Sequence, residues 1–153
     1  TGQSATASLG TVSISGEITD SVTLTTQVGL SALGTVTVNT TSSITSYTIT
    51  VASYYGANKY YIDGSRQATL TLNEGSTYRL DQSDSSNSGH PLRFSTTSDG
   101  THGGGSEYTT GVTTNGTPGS SGAYTQITVA SGAPTLYYYC TNHSGMGGTA
   151  NTP

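Results

Sequence analysis

The chain has 153 residues, of which 31% are hydrophobic and 8% charged, with a formal net charge of −4. Lys and Arg together number 4, too few to build a phosphate-binding face, which argues against a nucleic-acid partner. No apolar run approaches the roughly 20 residues of a membrane-spanning helix. Low hydrophobicity also marks disorder, but disordered chains carry high net charge. Eleven Tyr, with many Val, Ile and Thr, are strand formers, so the expected fold is all-β and loop-rich.

The chain opens on Thr1 without a signal peptide, as expected of a processed product or an excised piece. Period-two alternation runs through its first third: Val12 and Ile14, Val22 and Leu24, Val36 and Val38, then Tyr47, Ile49 and Val51. Leu9-Gly10-Thr11-Val12 returns as Leu33-Gly34-Thr35-Val36, each preceded by a Gly and a Ser-Ala pair, which predicts a Ser/Thr-rich β-repeat unit over residues 1–53. Chance likeness between Thr/Val-rich strands is the competing explanation. Tyr54-Tyr55-Gly56-Ala57-Asn58 reads as a linker into a second unit, 54–153. Strands are predicted there over 59–62, 68–72, 77–82, 90–95, 108–112, 124–129 and 136–140, with turns at Asp63-Gly64 and Asn73-Glu74-Gly75. Short strands at this spacing fit a β-sandwich. The Gly- and Ser-rich stretches 98–106 and 113–122 read as long loops, and 147–153 shows no strand pattern.

The sole Cys and the sole Met stand close together in Cys140-Thr141-Asn142-His143-Ser144-Gly145-Met146, with one of only three His between them. A second, His90, opens the segment His90-Pro91-Leu92-Arg93-Phe94. A thiolate, two imidazoles and a thioether form the blue-copper ligand set: the sulfurs suit Cu(I) and the imidazoles suit both oxidation states. A buried Cys with chance neighbours is the bland alternative, opposed by the scarcity of these residue types. Zinc is the rival ion, but Met is a poor ligand for it and no second Cys or nearby acid completes a tetrahedron. His102 reads as an exposed loop residue. The Asn-x-Ser/Thr patterns at Asn39, Asn115 and Asn142 are too short to carry weight.

The Cys-x-x-His-x-x-Met loop after a strand resembles the ligand loop of the cupredoxin family, in the short form of its amicyanin and plastocyanin members. The likeness covers residues 58–148. It implies a Greek-key β-sandwich holding one type 1 copper ion, with Cys140 as thiolate ligand, His90 and His143 as imidazole ligands and Met146 as axial ligand. Two departures stand out. Pro91 follows the first His where the family usually has Asn, so no N–H is available there for the cysteine sulfur, which implies a lowered reduction potential. The closing strand expected after the Met also looks to be missing.

No acid pair, activated nucleophile or phosphate loop is present, and four protein ligands leave copper no open position, so no enzyme is expected. The whole chain also resembles virion structural proteins of marine tailed bacteriophages, cyanophages included. Residues 2–14 and 28–38 carry the repeat, and 60–78 and 88–148 the copper domain. That likeness implies a virion fibre or decoration protein at an extracellular or virion surface, in a homo-oligomer or against other appendage proteins. The alternative is a soluble or periplasmic electron-transfer protein with an unknown redox partner.

Overall fold

The structure, a computed structural model, describes residues 43–153. Eleven strands run in chain order: β1 (Ile44–Tyr54), β2 (Ala57–Ile62), β3 (Ser65–Arg66), β4 (Leu70–Thr71), β5 (Thr77–Asp81), β6 (Leu92–Ser95), β7 (Glu107–Tyr108), β8 (Val112–Asn115), β9 (Tyr124–Thr128), β10 (Leu136–Cys140) and β11 (Gly148–Asn151). They form two mixed sheets, ordered β3-β2-β1-β5-β9-β8 and β4-β11-β10-β6-β7. Only β1–β5 and β4–β11 pair in parallel. The described residues form an all-β sandwich, as expected.

Alternation places the core between the sheets. Ile49, Tyr60, Leu80 and Ile127 of the first sheet cluster with Leu92, Phe94, Leu136, Tyr138 and Ala150 of the second. Each full burial of such an aliphatic or aromatic side chain is worth about 1.5–3 kcal/mol. The predicted Tyr47, Ile49, Val51 alternation is the inward face of β1. The repeats expected over 1–38 lie outside the described residues.

β1 includes both Ser53 and Tyr54, and pairs with β2 on one side and β5 on the other. Three expectations need correction. The supposed linker is a hairpin: Tyr54 pairs with Ala57 across a two-residue turn, with Tyr55 at φ 48°. Tyrosine is not a usual residue for such a turn, whereas Asp63, at φ 47° in the next hairpin, is, and that turn was legible. The predicted strand 108–112 is a bend between β7 and β8, which belong to different sheets.

The third correction concerns the chain after Met146. β11 pairs antiparallel with β10 through Leu136↔Ala150, Tyr137↔Thr149 and Tyr138↔Gly148, and parallel with β4. Gly-Thr-Ala-Asn hides this strand because its sequence follows from close approach, not from alternation. A Cβ at Gly147 would lie 1.7 Å from the Tyr138 carbonyl oxygen, and one at Gly148 would lie 2.6 Å from the Tyr138 hydroxyl. Only Ala150 of this strand enters the core.

Candidate metal centre

Cys140 ends β10, a strand covered on both faces. Leu136 and Tyr138 point into the core, while Tyr139 is buried on the other side under the 3-10 turn Gly100–Gly103. That turn lies so close that a Cβ at Gly100 would meet the Tyr139 ring at 2.5 Å. Cys140 itself is fully buried and unpaired.

His90 reaches the same point from the second wall. The 3-10 turn Ser85–Asn87 is capped by Asp84, whose carboxylate accepts from the Ser86 N–H, and His90 N–H donates to the Asn87 carbonyl at 2.8 Å. The His90 carbonyl then accepts from the Tyr60 hydroxyl and from Gln82 Nε2, both at 2.8 Å. Gln82 Oε1 accepts from the Leu92 N–H at 3.1 Å, and Asn87 Nδ2 donates to the Ile49 carbonyl at 2.7 Å. Among the described residues no buried side-chain nitrogen or oxygen lacks a partner. This network satisfies the backbone on both sides of Pro91, whose own carbonyl accepts from the Thr141 N–H.

The His90, Cys140 and His143 donor atoms lie within 4.8 Å of one another, and this cluster can bind a metal ion. His90 Nδ1 stands 3.8 Å from Cys140 Sγ and His143 Nδ1 stands 3.6 Å from it. One ion with sulfur at about 2.3 Å and imidazole nitrogen at about 2.0–2.1 Å, its bonds about 110–120° apart, sets those donors about 3.6–3.8 Å apart. The separations therefore fit a single ion between trigonal and tetrahedral geometry. The two imidazole rings lie 4.6 Å apart, tilted by 46°. His90 is 8% exposed, and its pKa is pushed down by burial first and by neighbouring His143 second. A neutral imidazole is the form a metal takes. Tyr60, under both His90 and Cys140, has its phenol pKa pushed far up, first by burial and then by the adjacent cysteine.

His143 is exposed and opens onto a cleft of about 530 Å³, lined also by Met146, Asn58, Asn142 and His102. Met146 is 1% exposed, and its carbonyl accepts from the Tyr60 N–H at 3.0 Å. The thioether-bearing residue thus stands at the same cleft as His143.

The ligand loop is tied at its backbone by residues remote in sequence. Gly145 N–H donates to Asp99 Oδ1 at 2.8 Å, and the Gly145 carbonyl accepts from Lys59 Nζ and from Gln67 Nε2. Gln67 also donates to the Gly147 carbonyl at 2.5 Å, and Asn142 Nδ2 donates to the Gly89 carbonyl at 2.9 Å. His102 is exposed, as expected, yet its Nε2 lies 3.0 Å from the Cys140 carbonyl. Sequence reasoning found none of Tyr60, Gln67, Gln82, Asn87 or Asp99. A glutamine just past β5, continuing the inward alternation of Tyr78 and Leu80, is the one visible signal, and it points only to a buried amide. No protein-family model matches the chain, and no curated protein matches it.

Proposed function

We propose that His90, Cys140 and His143, with Met146 as a weak axial ligand, form a mononuclear type 1 copper centre on a cupredoxin-like Greek-key sandwich. In this reading the protein is structural and surface-borne, a virion fibre or decoration protein, and not an enzyme. The observation that carries the copper reading is the pair of Nδ1 atoms at 3.8 and 3.6 Å from one buried thiol, with a thioether residue at the same cleft. The position of the ligand loop between β10 and β11, the last two strands, supports the cupredoxin likeness.

The residue types favour copper over zinc: a thiolate and a thioether are soft donors, and among the described residues no acid joins the cluster. Copper, when bound, supplies one-electron chemistry. Cys140 gives up its thiol proton to become a ligand. His90 is held by its buried carbonyl, and burial favours its neutral form, the one a metal takes. His143 presents the accessible edge of the centre, through which a partner would exchange an electron. That exposure favours one second reading, a soluble or periplasmic electron carrier, in which the cleft is the docking face.

Self-association, in the structural reading, uses β3, β8, β4 and β7, the short strands that end the two sheets among the described residues. Because β1 is an inner strand of the first sheet, the assembly test keeps the chain whole. Cu(II) added to the full chain should produce an intense visible sulfur-to-copper charge-transfer band, and only a colourless mixture would defeat the copper reading. Sedimentation then separates the two settings: a defined oligomer supports the structural protein, and a monomer at micromolar concentration supports the carrier.

A further inference from the structure

The turn at residues 97–104 touches the ligand loop at both of its ends. Asp99 accepts from the Gly145 N–H, one residue before Met146, and His102 lies against the carbonyl of Cys140. Between those two contacts lies His143, with Cys140 at the first and Met146 one residue past the second. The turn itself is seated on β10, with Gly100 against the Tyr139 ring and the His102 ring edge-on to Tyr139 at 6.5 Å.

Two features show that this seating is not ordinary capping. Asp99 holds the N-cap position of the Gly100–Gly103 turn, where an aspartate side chain normally accepts from that turn's own N–H groups. Here it makes no such bond and reaches instead to Gly145. Asp99 also sits at φ 60°, in the left-handed region rather than the extended one usual at an N-cap, a conformation Asp adopts more readily than most non-glycine residues. A glycine would relieve the backbone at that position, but it would lose the carboxylate. Lys59 and Gln67 grip the other side of the same residue, so Gly145 is held at both its N–H and its C=O.

The geometry points to Asp99 and His102 as positioning residues of the metal centre. They fix the span of the Cys140–Met146 loop, so that the three near donors stay at one separation and Met146 stays at the fourth position. A loop free to relax would let donors close in around an ion that favours four equal ligands. The expected consequence of loosening the clamp is weaker metal binding and a smaller preference for copper over zinc. This rests on the copper reading for its copper readout alone, because Co(II) and Zn(II) report the same loop without it.

The test uses the full chain and three variants. Asp99→Gly removes the acceptor and frees the backbone; Asp99→Asn keeps an oxygen that can accept from Gly145. His102→Phe keeps a ring against Tyr139 and removes the nitrogen. Co(II) and Zn(II) affinities should fall on the order of 10–100-fold in Asp99→Gly, the usual loss when an outer partner of a metal ligand is removed. Asp99→Asn should restore most of that loss, and His102→Phe should show a smaller loss. In the copper-loaded forms, the charge-transfer band of Asp99→Gly should change in energy and intensity, and that of Asp99→Asn should match the parent. If Asp99→Gly does not fold, His102→Phe against the parent decides. Unchanged affinities and bands in the folded variants, or equal losses in Asp99→Gly and Asp99→Asn, overturn the positioning role. A parent that binds Co(II) but gives no copper band removes the copper reading and leaves the clamp to be judged on Co(II). A parent that binds none of the three ions removes both.

Discussion

His90 and the Cys140–Met146 loop bring donors to one point by opposite means. The segment around His90 is fixed from inside, by Tyr60, Gln82 and Asn87, all of them buried and hydrogen-bonded to its backbone or to each other. The loop carrying His143 is largely exposed between its two sulfur residues; it is fixed from outside through its peptide groups by Asp99, Lys59 and Gln67, and its own Asn142 side chain donates to the Gly89 carbonyl. A buried amide network is costly to leave half satisfied, so it holds its segment rigidly. Peptide clamps at a surface yield more easily. The metal centre thus has one fixed wall and one that can be tuned.

Removing the atom both walls share should have the largest effect. Cys140→Ser should lose the copper band completely and lose the rise in melting temperature on adding metal. A ligand bound only by the folded chain at a thousandfold excess over its Kd stabilises by about 4 kcal/mol. Colour that survives in Cys140→Ser would mean that another donor set holds the ion. An unchanged melt beside a bound blue centre would mean that the unfolded chain binds copper equally well.

The fixed wall is broken next. Gln82→Leu removes the acceptor of the Leu92 N–H and the donor to Asn87 Oδ1, leaving buried groups unpaired. Each such group costs about 1–3 kcal/mol, read as a fall in the denaturation midpoint of the metal-free protein. A loss confined to metal affinity, with unchanged stability, would show that the network serves the ligand and not the fold. Gly147→Ala strikes where the tunable wall joins β11: its Cβ would collide with the Tyr138 carbonyl, and overpacking costs about 1–3 kcal/mol, or more where backbone must move. Retained stability would show that β11 can shift away from β10.

How legible each wall was follows from the same contrast. The cluster of His90, Cys140 and His143 was readable because Cys and His are rare here and their spacing carries chemistry; Leu136 to Cys140 read as a strand because β10 is covered on both faces. The residues that hold them were not readable. Gln82, Asn87 and Asp99 are ordinary polar residues in sequence, and their roles exist only once strands distant in the chain meet. The missed β11 is the same failure in a strand: Gly147 and Gly148 record the proximity of Tyr138, which no periodicity reports. The hairpin at Tyr55 was missed because its turn departs from the residues that usually form one.

The smallest expected effect separates the walls by pH. Burial lowers the pKa of His90, with the charge of nearby His143 as the lesser cause. An unfolded His titrates near the ordinary value of about 6.5. Between that value and the lower one in the fold, the unfolded chain binds more protons than the native chain, so stability rises with pH across that window. The metal-free protein should therefore hold His90's full contribution above about pH 6.5 and lose it progressively as pH falls below, until the folded His90 also protonates. His90→Gln should remove this part of the slope. His143→Gln takes away only the lesser cause, so most of the slope should remain, since the imidazole on the fixed wall is still buried. Denaturation of the three proteins from pH 7.5 down to 5 decides between the causes. A slope that vanishes in His143→Gln would mean that repulsion between the two imidazoles, rather than burial in the fixed wall, keeps His90 neutral and ready for metal.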